Sequence, residues 1–457
     1  MPVIRPFRTP AVIFALLSLV LLPVRFLAAA DDLPRYDLPV GRSLLYSSES
    51  KSKNADGTPG YSTRSTVRAT VVAANADGSR RVVLRSALTY ADNPQEVAIG
   101  AFDVFPDGRA RRVSRFNTDV DAPAAFPLLP PDAASAAAKW VSAPSWSGTV
   151  TTYSAAPSHS ADEFAFNSIG DGPIMHLYDV TSSTTYQFDK RKGVYVGSED
   201  EFAQGYGNRK TGTGKCKLEK DETIDPARTA RLAVEYDKLF QADMRRADLL
   251  ARMTEEPENA EKLGQQAQDV LVAAAKGIED PEVVQEFQRM IKEREENSKS
   301  DVEDANRVLE LLGKPIAHWE AKDLDGKLWS RDGLKGKVVV MDFWYRGCPW
   351  CMYAMPQVKQ LAADYQDKGV VVLGMNTDRK EEDAKFVVKT LGLEHPQVKA
   401  QGLSKLLEIH SFPTLIIIDQ EGVIRRLHAG YSLDLHDRVA RHIDELLQQK
   451  PAEPPRP

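Results

Sequence analysis

Residues 338–344, VVVMDFW, are apolar at every position but Asp342, and four residues later the chain reads Cys348-Pro349-Trp350-Cys351. Side chains alternate between the faces of a strand, so an apolar run without alternation requires both faces to be covered. This demands a buried strand between helical layers. The segments that follow agree. CMYAMPQVKQLAADYQ has helical spacing, GVVVLGMN reads as a second buried strand, and Glu381–Leu391 as a helix. TLIIID and VIRRLHAG form a hairpin around Gln420-Glu421-Gly422, and Leu433–Gln449 closes the unit as a helix. Residues 313–450 are therefore expected to be an α/β layer structure. The Pro-rich tail, 451–457, is expected to be disordered.

The rest of the chain has a different texture. At 457 residues it is long enough for about two to four folding units. From residue 31 to 225, short β-branched and aromatic runs flank turn signals at Asn75-Ala76-Asp77-Gly78, Pro106-Asp107-Gly108 and Arg191-Lys192-Gly193. These are hairpin signatures and predict an antiparallel β-rich domain, a sandwich or a barrel. LLPPDAASAAAKW reads as an irregular connection with a helical turn. From Pro226 to Leu312 the spacing is helical, with Leu232, Tyr236, Leu239, Phe240, Met244, Ala247 and Leu250 on one face. Thr254 is placed as the cap of a second helix running to about Ile278. Asp280-Pro281 reads as the start of a third, carrying Val283, Phe287 and Met290. The polar stretch KEREENSKSDVED reads as a solvated helix or hinge, and Gly313 and Pro315 as the stop. The expected fold class is multidomain α+β: a β-rich domain, a helical connector and a C-terminal α/β domain.

A net charge of −6 provides no basic field for nucleic acid. Residues 1–30 carry Arg5 and Arg8, an apolar run from Ala11 to Val24, and Ala28-Ala29-Ala30 before two aspartates. These are the parts of a secretory signal, with cleavage expected after Ala30. The run is shorter than the roughly 20 residues that span a bilayer. An uncleaved anchor at 11–24 is the alternative, and a membrane is a partner only in that case. Export places thiols in an oxidising compartment. With three cysteines, one close pair plus Cys216, the chain is no disulfide-stapled scaffold.

The close pair carries the chemistry. The strand ends at Trp344 and the helix starts at the cysteines, so Cys348 lies where backbone N–H groups lack intrahelical partners. Those groups and the macrodipole favour a thiolate. Such surroundings and Cys-x-x-Cys spacing lower a thiol pKa from about 8.5 to roughly 3.5–7.5. Cys348 is expected to be partly or wholly ionised and exposed, and Cys351, one turn on, more buried and within bridging reach. Two thiolates without further clustered ligands do not make a zinc site, so no metal and no cofactor is expected.

Together with its neighbours this segment resembles the thioredoxin superfamily and, within it, the exported TlpA/ResA-like thiol–disulfide oxidoreductases. The resemblance spans about Gly313 to Gln449, on GKPIAHW, DLDGK, LKGKVVVMDFW, CPWCMYAMP and SFPTLIIID. It implies a redox-active dithiol with Cys348 as nucleophile and Cys351 as resolving thiol. Phe343-Trp344 match the residues before the active site, and Pro356 the proline that bends the active-site helix. Asp342 matches the buried acid beneath the resolving cysteine, where a raised pKa lets it accept that cysteine's proton. Pro413 matches the cis-proline that grips an extended substrate, with Phe412 and Trp350 as further substrate-binding candidates. Residues 376–397 resemble the extra helix of that branch. Gly347 stands where the family has Trp, and Pro-Trp replaces the thioredoxin Gly-Pro, so electron direction is not legible from these residues.

The implied partners are protein thiols and disulfides, and a membrane electron-donor protein that would keep a reductant recharged. Two other functions compete. A thiol peroxidase shares the fold, but Tyr345 occupies the place of its peroxide-polarising hydroxyl residue. Alternatively, the β-rich half carries the main function as a binding module. Cys216 is expected as a lone thiol on a strand or loop, and His410 and His428 as surface or packing residues.

Overall fold

The computed structural model describes residues 33–90, 96–113, 125–145, 149–205, 209–407, 409–432 and 434–448. The leader or anchor expected at 1–30 and the tail at 451–457 lie outside the described residues. No helix among the described residues is long and apolar enough to cross a membrane.

The N-terminal strands are β1 (Arg42–Asn54), β2 (Pro59–Ala74), β3 (Arg80–Tyr90), β4 (Glu96–Val104), β5 (Ala110–Arg112), β6 (Lys139–Val141), β7 (Val150–Ala156), β8 (Glu163–Asp171), β9 (Val180–Asp189), β10 (Val194–Gln204) and β11 (Lys210–Thr223). Two short helices interrupt them, α1 (Ala133–Ala136) and α2 (Pro173–Leu177). The strands form one 11-stranded sheet in the order β5-β4-β3-β2-β1-β11-β10-β9-β8-β7-β6, every pair antiparallel. The three hairpin turns lie where the sequence placed them, joining β2–β3, β4–β5 and β9–β10.

The sandwich or barrel is corrected to a single curled, unclosed sheet. Its two ends meet at residues 125–129: Leu129 N–H bonds to Asp107 O at 2.8 Å, and Trp140 Nε1 to Leu128 O at 2.9 Å. The approach is close enough that a Cβ on Gly108, at φ +85°, would stand 2.6 Å from Pro127 O. The hollow is filled by Tyr46, Val71, Leu84, Phe102, Phe126, Trp140, Phe166 and Phe188. Hairpin signals specify neighbours but not whether the final edges pair, and among the described residues they do not.

On β2–β4 the alternate residues point the other way. Val72, Val83, Ile99 and Ala101 bury against α3 (Pro226–Glu255), α4 (Ala260–Ala274) and α5 (Pro281–Leu311) through Leu232, Tyr236, Leu239, Leu271, Val283 and Phe287. The helices thus form a second layer on the sheet. Thr254 caps nothing. It lies within α3, its hydroxyl turned back to Ala251 O at 2.9 Å, and the second helix begins at Ala260. Thr254 satisfies its hydroxyl locally, so the helix continues past it. The polar stretch after Met290 is continuous helix to Leu311.

α3 also reaches the C-terminal part, where Glu255 pairs with Arg438 at 2.7 Å and lies 3.8 Å from His442. That part holds the two-stranded β12 (Glu320–Lys322) and β13 (Leu328–Ser330), and the strands β14 (Val338–Trp344), β15 (Val370–Asn376), β16 (Gln397–Lys399), β17 (Thr414–Ile418) and β18 (Ile424–Ala429). Its helices are α6 (Pro349–Asp364), α7 (Glu381–Leu391), α8 (Gln401–Leu406) and α9 (Leu435–Gln448). The five-stranded order is β16-β15-β14-β17-β18, with β14 central, parallel to β15 and antiparallel to β17. Val339, Met341 and Phe343 face one core, while Val338 and Val340 face the other, beneath α6 and α9.

Asp280 anchors the start of α5. It is fully buried, accepts Glu282 N–H at 3.1 Å and Arg228 Nε–H at 2.8 Å, and donates its own N–H to Glu235 at 3.0 Å. Asp280→Ala is expected to cost about 1–2 kcal/mol, chiefly through the lost cap, since Arg228 can turn to solvent. A fall in the urea midpoint followed by far-UV circular dichroism checks this; an unchanged midpoint would show that the network contributes nothing.

Candidate active site

Strand alternation decides what meets the cysteines. Asp342 and Trp344 lie on the face of β14 covered by α6. Trp344 is fully buried, held by a 3.0 Å hydrogen bond from its Nε1 to Gln397, and packs in one apolar cluster with Cys348, Cys351, Met352 and Met355. The chain then turns through Tyr345-Arg346-Gly347 and enters α6 with Cys348 as its N-cap and Pro349 as its first residue.

Cys348 and Cys351 are joined by a disulfide. The Cys351 N–H points at Cys348 Sγ, 3.1 Å away, one of the N–H groups the helix leaves unpaired. On reduction that N–H and the helix dipole would stabilise a thiolate at position 348. Cys351 is 1% exposed.

The expected exposure of Cys348 is corrected: it is 4% exposed. Part of the physical reason lies outside its own sheet. Leu177, at the end of α2, is buried in the same cluster, and Ile174 and Tyr178 pack against it. Tyr178 Oη donates to Arg346 O at 3.1 Å, and Arg346 Nη2 donates to Leu177 O at 3.0 Å. Neither α2 nor Arg346 was among the sequence candidates. A contact between residues 168 apart leaves no local pattern.

Asp342 is 1% exposed, and its Oδ1 is buried without a hydrogen-bond partner. Burial penalises the anion and pushes its carboxyl up to about 7. Pro413 follows a cis peptide bond and leads directly into β17, and Gly430 N–H bonds to its carbonyl at 2.8 Å. Phe412 packs on the cysteine cluster and meets Tyr345 edge-on at 5.2 Å, which brings the Pro413 loop beside the dithiol. Trp350, 42% exposed, stacks on Tyr431 at 6.0 Å and touches Tyr353. The two tyrosines extend an aromatic surface that sequence reasoning had reduced to Trp350 alone. Cys216 stands apart on β11, half-buried, with its Sγ 2.7 Å from Tyr195 Oη. His410 is exposed, whereas His428 is buried and packs on His442. Among the described residues no group of three His, Cys, Asp or Glu is arranged to hold a metal.

Residues 312–427 match the AhpC/TSA family. The thiol-disulfide oxidoreductase ResA of Halalkalibacterium halodurans is 31% identical over 128 residues, 28% of this chain and 73% of that protein. The thiol:disulfide interchange protein DsbE of Escherichia coli is 33% identical over 135 residues, 28% of this chain and 69% of that protein. A solved thioredoxin domain of a thiol-disulfide oxidoreductase from Bacteroides vulgatus is 31% identical, covering 29% of this chain and 97% of that one, with a TM-score of 0.27.

The Asp342 carboxyl has a stability consequence of definite sign. The folded chain keeps this proton up to about pH 7, whereas the unfolded chain releases it near the ordinary aspartate value of 3.8. The contribution is therefore full below about pH 4 and lost as pH rises toward about 7. Asp342→Asn, neutral throughout, should gain on the parent across that window, by on the order of 4 kcal/mol at most, and the gain should then level off. Melting temperatures at matched pH values check this; a pH-independent difference would mean that the carboxyl is not held protonated.

Proposed function

Since the chain belongs, through its C-terminal region, to the ResA- and DsbE-like thiol–disulfide oxidoreductases of the thioredoxin superfamily, we propose that Cys348 and Cys351 exchange disulfides with exported proteins, acting as a reductant. The observation that carries this reading is the Cys348–Cys351 bridge at the start of α6, with a helix N–H aimed at the first sulfur.

Each step balances. The Cys348 thiolate attacks one sulfur of a substrate disulfide, and the other substrate sulfur leaves as a thiolate. Cys351 gives its proton to Asp342, whose carboxyl titrates at about 7 and is thus matched to a neutral compartment. The Cys351 thiolate then attacks Cys348 Sγ, restores the bridge and releases the reduced substrate. Run in reverse, the same steps oxidise the partner. Pro413 and Phe412 align the substrate backbone, and Trp350 offers it an aromatic face.

Location and partners complete the proposal. Residues 1–30 export the chain or, left uncleaved, anchor it outside the cytoplasm. A membrane electron-donor protein reduces the bridge after each turnover. Residues 31–225, 226–312 and 313–450 act as β-rich, helical and redox units.

One observation favours an additional binding role for the β-rich unit. A concave groove of about 1000 Å³ is lined by Tyr61, Ile169, Thr181, Phe202 and Thr213, with Phe202 stacked on Tyr61 at 6.2 Å.

Redox titration with thiol trapping tests the main reading: a reversible two-electron transition confined to Cys348 and Cys351 is expected, and its absence would end the proposal. Cys351→Ala should accumulate mixed disulfides on Cys348, and in otherwise intact protein Asp342→Asn should slow release by about 10–100-fold near pH 7. Release at the parental rate would remove Asp342 from the proton path.

A further inference from the structure

The start of α6 is the end of the redox unit that a substrate must reach, yet Cys348 there is 4% exposed. Part of its cover is α2, which belongs to the other sheet and connects β8 to β9. Leu177 is fully buried, in the cluster that holds both cysteines, and Ile174 and Tyr178 pack on that cluster. Hydrogen bonds to Arg346, two residues before Cys348, pin the element in place: Tyr178 Oη to Arg346 O at 3.1 Å, and Arg346 Nη2 to Leu177 O at 3.0 Å.

Arg346 is itself held. Its guanidinium pairs with Asp383 of α7 at 2.8 Å and lies 4.2 Å over the Phe386 ring, and its N–H bonds to Asp378 at 3.0 Å. The redox loop, α7 and α2 thus converge on one side chain. The ladder of the large sheet does not depend on this contact. β8 and β9 pair up to Ile169–Ser183, and α2 lies beyond that pair. Lifting residues 173–177 breaks no strand pairing, and Gly205 N–H, which bonds to Tyr178 O at 3.3 Å and to Asp179 O at 3.0 Å, keeps its second acceptor when the Tyr178 carbonyl moves away.

We propose that α2 is a size-selective cap on the dithiol, with Leu177 and Tyr178 as specificity-determining residues. A small thiol reaches the bridge with the cap in place. A protein thiol must bring its own backbone alongside Cys348, and the space it needs is filled by α2. The protein reaction then proceeds only from the lifted state, and its rate scales with the population of that state. This deepens the thiol–disulfide reading above and rests on it.

The test uses the full oxidised chain. Loss of the bridge is followed by thiol trapping during reduction by dithiothreitol, a small dithiol, and by reduced thioredoxin, a protein dithiol. Leu177→Ser, which unseats the buried side chain, should raise the thioredoxin rate about tenfold and the dithiothreitol rate less than about twofold, because only the protein reaction waits for the lifted state. Tyr178→Phe removes a single hydroxyl and keeps the ring, so it provides the readout even where Leu177→Ser fails to fold. It should raise the thioredoxin rate about two- to fivefold, with dithiothreitol unchanged. Equal factors for the two reductants, or no change for either, would overturn the cap. A bridge that dithiothreitol does not reduce reversibly in the parent chain would overturn the exchange reading and the cap with it. Reversible reduction with unaltered size preference overturns the cap alone.

Discussion

Strand β14 is buried on both faces, and the site follows from that constraint. Its apolar side chains support two cores at once, so its position between β15 and β17 is tightly determined. Where it ends, the chain has only Tyr345-Arg346-Gly347 in which to turn before α6 begins. Cys348 is delivered to the helix N-terminus by this geometry, and a Cys351 N–H without an intrahelical partner, aimed at its sulfur, is the local consequence. The same burial acts on Asp342. A carboxyl on the strand that the core holds most firmly cannot be solvated, so it keeps its proton to about pH 7. Support for the fold and tuning of the acid are one physical effect, and the acid is a cost to stability at neutral pH.

The remaining two thirds of the chain is built by another principle. Its strands pair mostly with sequence neighbours, as two antiparallel meanders joined where β1 pairs with β11. Curling gives the sheet an inner core, and α3–α5 give β2–β4 an outer one. The helical segment therefore does more than connect. It is packed on the large sheet at one end and salt-bridged to α9 through Glu255 and Arg438 at the other. With the two sheets held through this layer, α2 can rest on the dithiol as a defined contact. Similarity to ResA and DsbE covers 28% of the chain in each case, which places the redox chemistry in the C-terminal region and leaves α2 outside it.

Much of this was legible in the residues. The unbroken apolar run required a strand covered on both faces. The turn residues located the hairpins, and Cys-Pro-Trp-Cys after a strand located the helix start. Asp280-Pro281 marked the beginning of α5. These are local statements, and the forces behind them act within a few residues: backbone sterics, capping and side-chain period. The failures were also local rules applied too far. A threonine suited to capping lies inside α3 because its hydroxyl finds Ala251 O.

The sequence by itself determined the strands β14, β15, β17 and β18 and the helices α6, α7 and α9 of the C-terminal part, though not the short β12, β13, β16 and α8, and it marked which two sulfurs stand at a helix start. It could do so because period, turn chemistry and Cys spacing are encoded in neighbouring residues. Only the tertiary structure decided that the described strands of the large sheet curl without closing, that Tyr353 and Tyr431 join Trp350, and that Leu177 and Tyr178 pack into the apolar cluster in which Cys348 is buried. Those outcomes depend on apolar surfaces far apart in the chain finding each other. Hydrophobic burial rewards that without regard to sequence separation, and so leaves no mark that reading along the chain could detect.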